Sequence, residues 1–343
     1  MKNFKLLSLS TAMVFAAALI ISGCTKEGPA GADGKDGQDG TAGCVKCHDD
    51  SQMIFAASVQ WEASTHATGG NFERNGTSCA PCHTSQGFVE VIETGAMETA
   101  EPINNPAPVN CYACHKIHET YTVEDWAFTT SEPVEFWING AVADMGKGNL
   151  CASCHQSRVP DPMPVPGGGD VLVDNMRYGP HHGPQGNMLA GSGGYEVAGS
   201  MSYNNSLHTE LIEDGCVTCH MATAYGTQAG GHTMGTSYIY HGHAVVNEAG
   251  CVECHEGDDL ETMIEESKNE IDNLLEDLKG LLIAQGALDS TGYVPVGDEG
   301  ITLSMDQVGG VFNYKFVLED RSGGTHNMKY AKALLTNSIE SLQ

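Results

Sequence analysis

Six copies of one short pattern, C-x-x-C-H, constrain this chain more than any other feature. The first is Cys44, Cys47 and His48, and the second is Cys79, Cys82 and His83. Cys111, Cys114 and His115 make the third, and Cys151, Cys154 and His155 the fourth. The fifth is Cys216, Cys219 and His220, and the sixth is Cys251, Cys254 and His255. They take up all but one of the 13 cysteines. The spacing is that of covalent c-type haem attachment. Two thiols three residues apart form thioethers with the two vinyl groups of one porphyrin, and the adjacent His ligates the iron as an axial imidazole. A disulfide framework or zinc ribbons would also use paired cysteines, but neither needs a His after every second Cys. The expectation is six covalently attached c-type haems, with His48, His83, His115, His155, His220 and His255 as proximal iron ligands.

Roughly one attachment site per 50 residues leaves little room for independent haem domains, because a chain that short buries little apolar surface by itself. Stacked haems are therefore expected to form the core of residues 44–257, wrapped by loops and short helices. Forty-two glycines agree with extensive coil. The longest interval, between Cys154 and Cys216, carries the loop signals Pro160-Asp161-Pro162, Pro166-Gly167-Gly168-Gly169 and Gly191-Ser192-Gly193-Gly194. It reads as a wrapping excursion, or as the wall of a pocket. From 258 to 343 the texture becomes helical. Asp258 with Glu261 forms a possible cap, and Ile271, Leu274, Leu275, Leu278 and Leu282 follow at helical spacing. Ser304 with Gln307 caps a second helix, and a third runs from about Met328 to the end. Strand signals are confined to short pieces such as Tyr293 to Val296. The predicted class is mainly α with extensive coil, a haem-cored region followed by a helical tail that packs on it.

The N-terminus has a separate logic. Residues 1–23 carry Lys2 and Lys5 and then run apolar to Ile21, the pattern of a secretory signal. Ile21-Ser22-Gly23-Cys24 resembles a bacterial lipobox. That resemblance implies cleavage before Cys24 and a lipid anchor on it, which would account for the thirteenth cysteine. Glycines at 28, 31, 34, 37, 40 and 43 make residues 24–43 a collagen-like repeat. With so few triplets and one proline it reads as a flexible spacer rather than a stable triple helix.

Each iron has either a sixth ligand or an open site, and that separates an electron carrier from an enzyme. Outside the motifs stand His66, His118, His181, His182, His208, His232, His241, His243 and His326. Internal similarity ranks some of them. His208 precedes Cys216, and His243 precedes Cys251, by the same eight residues, although His241 competes with His243. Ser64-Thr65-His66 shares the form of Ser206-Leu207-His208. A His ahead of one attachment site can reach a neighbouring haem in a tight stack. Met221 is a weaker, thioether alternative.

The stretches Trp61-Glu62-Ala63-Ser64-Thr65-His66, Cys114-His115-Lys116-Ile117-His118, His181-His182-Gly183-Pro184-Gln185, Gly230-Gly231-His232-Thr233 and Gly323-Gly324-Thr325-His326-Asn327 carry a family resemblance. The region from Cys44 onward resembles secreted multihaem cytochromes of the superfamily containing ammonia-forming nitrite reductase and hydroxylamine oxidoreductase. The resemblance implies that His118, His182, His232 and His326 join His66, His208 and His243 as distal ligands. His181 remains an alternative to His182. These are seven candidates for six irons, so at least one is not a ligand. Nitrite reductases of that superfamily carry a C-x-x-C-K site, and all six sites here end in His. Hydroxylamine oxidoreductases carry eight haems, one cross-linked to a Tyr that has no counterpart here. No catalytic residue carries over.

The predicted role is electron transfer by a lipid-anchored hexahaem cytochrome at the bacterial envelope, exported and associated with the outer membrane. The alternative is a reductase or oxidase of a small nitrogen or sulfur compound at one open haem. A formal charge of −28 excludes a surface built to coat nucleic acid and favours basic redox partner proteins.

Overall fold

The computed structural model describes residues 53–70 and 72–343. The signal segment, Cys24 and the glycine repeat lie outside the described residues. So does the whole first attachment site: Cys44, Cys47 and His48. Among the residues described, short helical turns and loops run up to residue 257, and three longer helices follow: Leu260–Ala284, Met305–Asp320 and Met328–Ser341. Among the described residues, sheet is confined to three two-stranded antiparallel pairs: Val134–Glu135 with Val142–Ala143, Val171–Val173 with Ile301–Leu303, and Ser237–Tyr240 with His243–Val246. The protein is mainly α with much coil.

Each long helix shows in its sequence why it forms. In Leu260–Ala284 the buried residues Ile271, Leu275, Leu278 and Leu282 recur at three- and four-residue steps and make one apolar stripe. Its N-cap is Asp259, whose carboxylate accepts from the Thr262 backbone N–H at 3.1 Å. Asp258, the expected cap, instead meets His255 Nδ1 at 3.0 Å. The Ser304 and Gln307 box is complete, each side chain accepting from the other's backbone N–H. Met305–Asp320 is buried almost all round, and its Gly309 is needed there. A Cβ would stand 2.2 Å from the Tyr195 ring. Tyr293–Val296 is no strand; Val294 is a buried core residue whose backbone N–H donates to Met176.

Apolar packing is unevenly shared. One continuous core joins the long helices, through Leu278, Phe312, Phe316, Leu334 and Leu335, to Phe136, Tyr178, Met188 and Tyr195 from the middle of the chain. Asn313 pins this junction: its side chain exchanges hydrogen bonds with the Tyr195 backbone (2.8 Å each way) and donates to Ser338 Oγ at 2.9 Å. The Cys154–Cys216 interval, expected as a wrapping excursion, thus supplies core residues. A second, smaller cluster of Phe88, Ala113 and Leu150 lies beside Cys114 and Cys154, and Ala152 and Cys216 belong to the edge of the main core. Most of the buried apolar residues thus lie where the tail helices meet the middle of the chain. Phe316→Ala should therefore destabilise the holoprotein by roughly 3–5 kcal/mol, read as an earlier midpoint in chemical denaturation. An unchanged midpoint would contradict this packing.

Candidate haem-iron sites

Every described motif folds as one tight turn. The His backbone N–H donates to the carbonyl of the first cysteine at 3.2 Å for His83, 2.8 Å for His115 and His155, and 3.0 Å for His255. The fifth motif is the helical turn Cys216–His220. Such a turn carries both sulfurs and the following imidazole together, as two thioethers and an axial ligand require. None of the ten described cysteines is in a disulfide.

The cysteines are not equally enclosed. Cys79, Cys82, Cys114, Cys151, Cys154, Cys216, Cys219 and Cys251 are half-buried, but Cys111 and Cys254 are exposed. The exposure of Cys254 has a local cause in the sequence. Its turn lies at the surface, closed by the Cys254 backbone N–H to Cys251 carbonyl bond at 3.1 Å. Residues 252–254 and 256–259 around it are all exposed, because a polar run, Glu253, Glu256, Asp258 and Asp259, leads from there into the long helix. Cys47 lies outside the described residues, so its site contributes no geometry here.

Each described motif imidazole faces one imidazole from a distant part of the chain. The ring centres are 6.1 Å apart for His66 and His155, 6.3 Å for His181 and His83, and 6.3 Å for His232 and His115. His208 and His255 stand at 6.1 Å, and His326 and His220 at 6.3 Å. Two metal–nitrogen bonds of about 2 Å, plus about 1.1 Å from each bonding nitrogen to its ring centre, give about 6.2 Å. All five gaps fit one iron between two imidazoles.

Hydrogen bonds fix the ring rotations. His115 Nδ1 meets the Trp126 carbonyl and His220 Nδ1 the Met234 carbonyl, both at 2.8 Å. His208 Nδ1 meets the Thr325 carbonyl at 2.6 Å, and His155 Nδ1 meets Gln185 Oε1 at 3.2 Å. His255 and His326 meet the carboxylates of Asp258 and Asp320 at 3.0 and 2.6 Å. His66 Nδ1 lies 2.8 Å from the Met234 sulfur. With Nδ1 engaged, Nε2 is the nitrogen left for a metal. His181 is arranged differently, its Nδ1 accepting the His182 backbone N–H at 2.6 Å. Burial pushes the His66 and His181 imidazoles down to about 4. It also lowers His83, His155, His220 and His232. Burial thus favours the neutral imidazole, which is the metal-binding form. For His326 burial acts the same way, but the Asp320 carboxylate outweighs it and raises the pKa.

The attachment turns also adjoin one another. Cys154 Sγ lies 3.7 Å from the Pro81 carbonyl, Cys216 Sγ 3.9 Å from that of Gly148, and Cys219 Sγ 3.9 Å from that of Gly250. Two glycines permit the approach: a Cβ on Gly148 would fall 2.9 Å from Cys216 N, and one on Gly250 would fall 2.9 Å from Cys219 Cα.

No family model matches the chain. It is similar to the C-type polyheme cytochrome OmcC of Geobacter sulfurreducens, 23% identical over 76% of this chain and 36% of that protein. It is also similar to OmcB, a C-type polyheme cytochrome from the same organism, 22% identical over 85% of this chain and 46% of OmcB. Among solved structures it resembles the outer cell wall cytochrome OcwA, with a TM-score of 0.52 and 22% identity over 83% of this chain and half of that one. The chain is a multihaem c-type cytochrome. It spans less than half the length of the curated relatives it matches.

In this cytochrome the structure places His181 and His182 differently, an alternative that the sequence expectation left open. His182, the residue named there, turns to Glu319, with Nδ1 2.9 Å from the carboxylate and a side chain 68% exposed. Its neighbour His181, at φ 68°, faces His83 instead. His243 lies on the exposed Ser237–Tyr240/His243–Val246 hairpin, and all five described motif rings face other histidines. His118, at φ 64°, stacks on Tyr121 with ring centres 5.4 Å apart and meets Tyr112 edge-on. The Nδ1 acceptors Asp320, Asp258, Gln185 and Met234 carried no spacing signal in the sequence. His181→Ala should convert one haem from low to high spin in the oxidised cytochrome, whereas His182→Ala should leave the spectrum unchanged. The opposite pattern in electron paramagnetic resonance would reverse the assignment.

Proposed function

We propose that this chain is an electron-transfer protein: an exported hexahaem c-type cytochrome of the bacterial envelope, anchored by acylated Cys24. Haem iron supplies the one-electron couple. The observation that carries the reading is the set of five imidazole pairs, each spaced for one iron. Two imidazoles leave an iron without a vacant position, so such sites favour electron exchange over substrate binding.

His66, His181, His232, His208 and His326 are assigned as the distal ligands opposite His155, His83, His115, His255 and His220. His118 remains a further distal candidate. Its loop is held by Asp125, whose carboxylate accepts the backbone N–H groups of His118, Thr120 and Tyr121 at 2.9, 2.7 and 3.1 Å. The adjoining turns support a relay. The turn of Cys79 and Cys82 neighbours that of Cys151 and Cys154. The latter neighbours Cys216 and Cys219, which in turn neighbour Cys251 and Cys254. The glycine-rich segment after Cys24 serves as the tether. A formal charge of −28 draws basic partner proteins toward the surface at low salt.

Intact mass of the denatured protein should show six covalent haems, adding roughly 3.7 kDa to the acylated chain. The reduced holoprotein should bind no carbon monoxide, and nitrite or hydroxylamine should leave the oxidised spectrum unchanged. Stoichiometric carbon monoxide binding together with a nitrite-induced shift would replace the carrier with a haem enzyme.

A further inference from the structure

We propose that Asp320 is a positioning residue that gives the haem held by Cys216 and Cys219 the lowest reduction potential of the five described sites. The proposal rests on His326 and His220 as the ligands of that iron.

Asp320 closes the Met305–Asp320 helix, and Arg321 follows in the left-handed region at φ 62°. The chain reverses there and brings His326 back against the helix end. Asp320 Oδ1 meets His326 Nδ1 at 2.6 Å. Its Oδ2 accepts from the Ser322 hydroxyl and, at 3.3 Å, from the Ser322 backbone N–H. The Ser322 oxygen in turn accepts the His326 backbone N–H at 3.2 Å. Arg321, the adjacent cation, pairs with Glu319 instead.

The Nδ1 groups of His115, His220, His208, His155 and His66 meet neutral partners: carbonyls, an amide and a thioether. Asp258 at His255 is the other carboxylate in contact with an assigned ligand, and the two acids differ in burial. The Asp258 side chain is 50% exposed and that of Asp320 is 2% exposed. Water and salt screen a charge at Asp258 and scarcely reach Asp320. A buried carboxylate that draws on the Nδ1 proton gives the imidazole more anionic character and makes it a stronger donor to the metal. Stronger donation stabilises ferric over ferrous iron, so the couple shifts downward. In the row of adjoining turns this low-potential site stands between those of Cys151 and Cys251. It would be the last reduced and the first to give up its electron.

The test is a potentiometric titration of the whole holoprotein, followed by visible absorption and electron paramagnetic resonance. Asp320→Asn keeps the shape and an acceptor oxygen but removes the charge. It should raise the lowest step of the titration, by one haem's amplitude, and leave the other steps in place. Asp320→Glu should return that step toward its original position. If Asp320→Asn does not fold, Ser322→Ala removes the hydroxyl that pins the carboxylate and should raise the same step by less. His326→Met, which replaces an imidazole by a thioether, should raise that step as well and so identify it. Titrations of Asp320→Asn or Ser322→Ala that superimpose on the unaltered protein would overturn the proposal. Movement of a step other than the lowest would do the same. His326→Ala separates the underlying ligation: one new high-spin iron supports it, and a fully low-spin spectrum removes His326 as a ligand and the proposal with it.

Discussion

An iron held between two imidazoles requires ring centres about 6 Å apart, and among the described residues the fold brings five pairs of rings to that distance. The motif His needs nothing more than one helical turn after the first cysteine. Its partner needs the rest of the fold. His66 crosses to the fourth motif, His181 returns to the second, His232 reaches back to the third, and His208 and His326 reach the sixth and fifth. Every described pair is therefore a long-range contact, and five such pairs tie together nearly the whole of residues 66–326. Iron bound in the proposed pairs would hold in register a fold with few strands and short helices before residue 257.

The apolar core takes the complementary task. It is concentrated where the last three helices meet the loops of residues 134–197, and it sets the position of the C-terminal segment that carries His326. Asn313 and Tyr330 show how closely the two parts are joined. Asn313 bonds to the Tyr195 backbone, and the Tyr330 hydroxyl donates to Glu196 and accepts from the Gly194 N–H. The tail is part of the scaffold that positions His326.

Local features of the sequence were legible because their physics is local. The C-x-x-C-H turns, the Ser304/Gln307 box and the stripe from Ile271 to Leu282 depend on residues within one or two turns of each other. Positions of His66, His208, His232 and His326 could be singled out from repeats and resemblance, but their pairing could not, since it is set by the path of the chain between them. The choice of His181 over His182 depends on a left-handed backbone at His181 and on Glu319 drawing away its neighbour, which adjacent positions in a sequence do not reveal. The cap at Asp259 rather than Asp258 has a similar origin, because His255 takes Asp258. The exposure of Cys254 was not visible in its motif, which is identical in form to those whose sulfurs are half-buried. Acceptors such as Asp320 and Met234 follow no spacing rule and were invisible.

The chain matches less than half the length of its polyhaem relatives, so likeness to them supports a shared architecture and leaves the division of labour among haems to be measured here. The imidazole pairs carry the main claim, and iron spin state reports on them directly. Electron paramagnetic resonance of the oxidised holoprotein, with spins counted against total iron, should show low-spin haem accounting for all of it. A high-spin signal amounting to one iron or more per chain would mean that at least one site lacks its second imidazole.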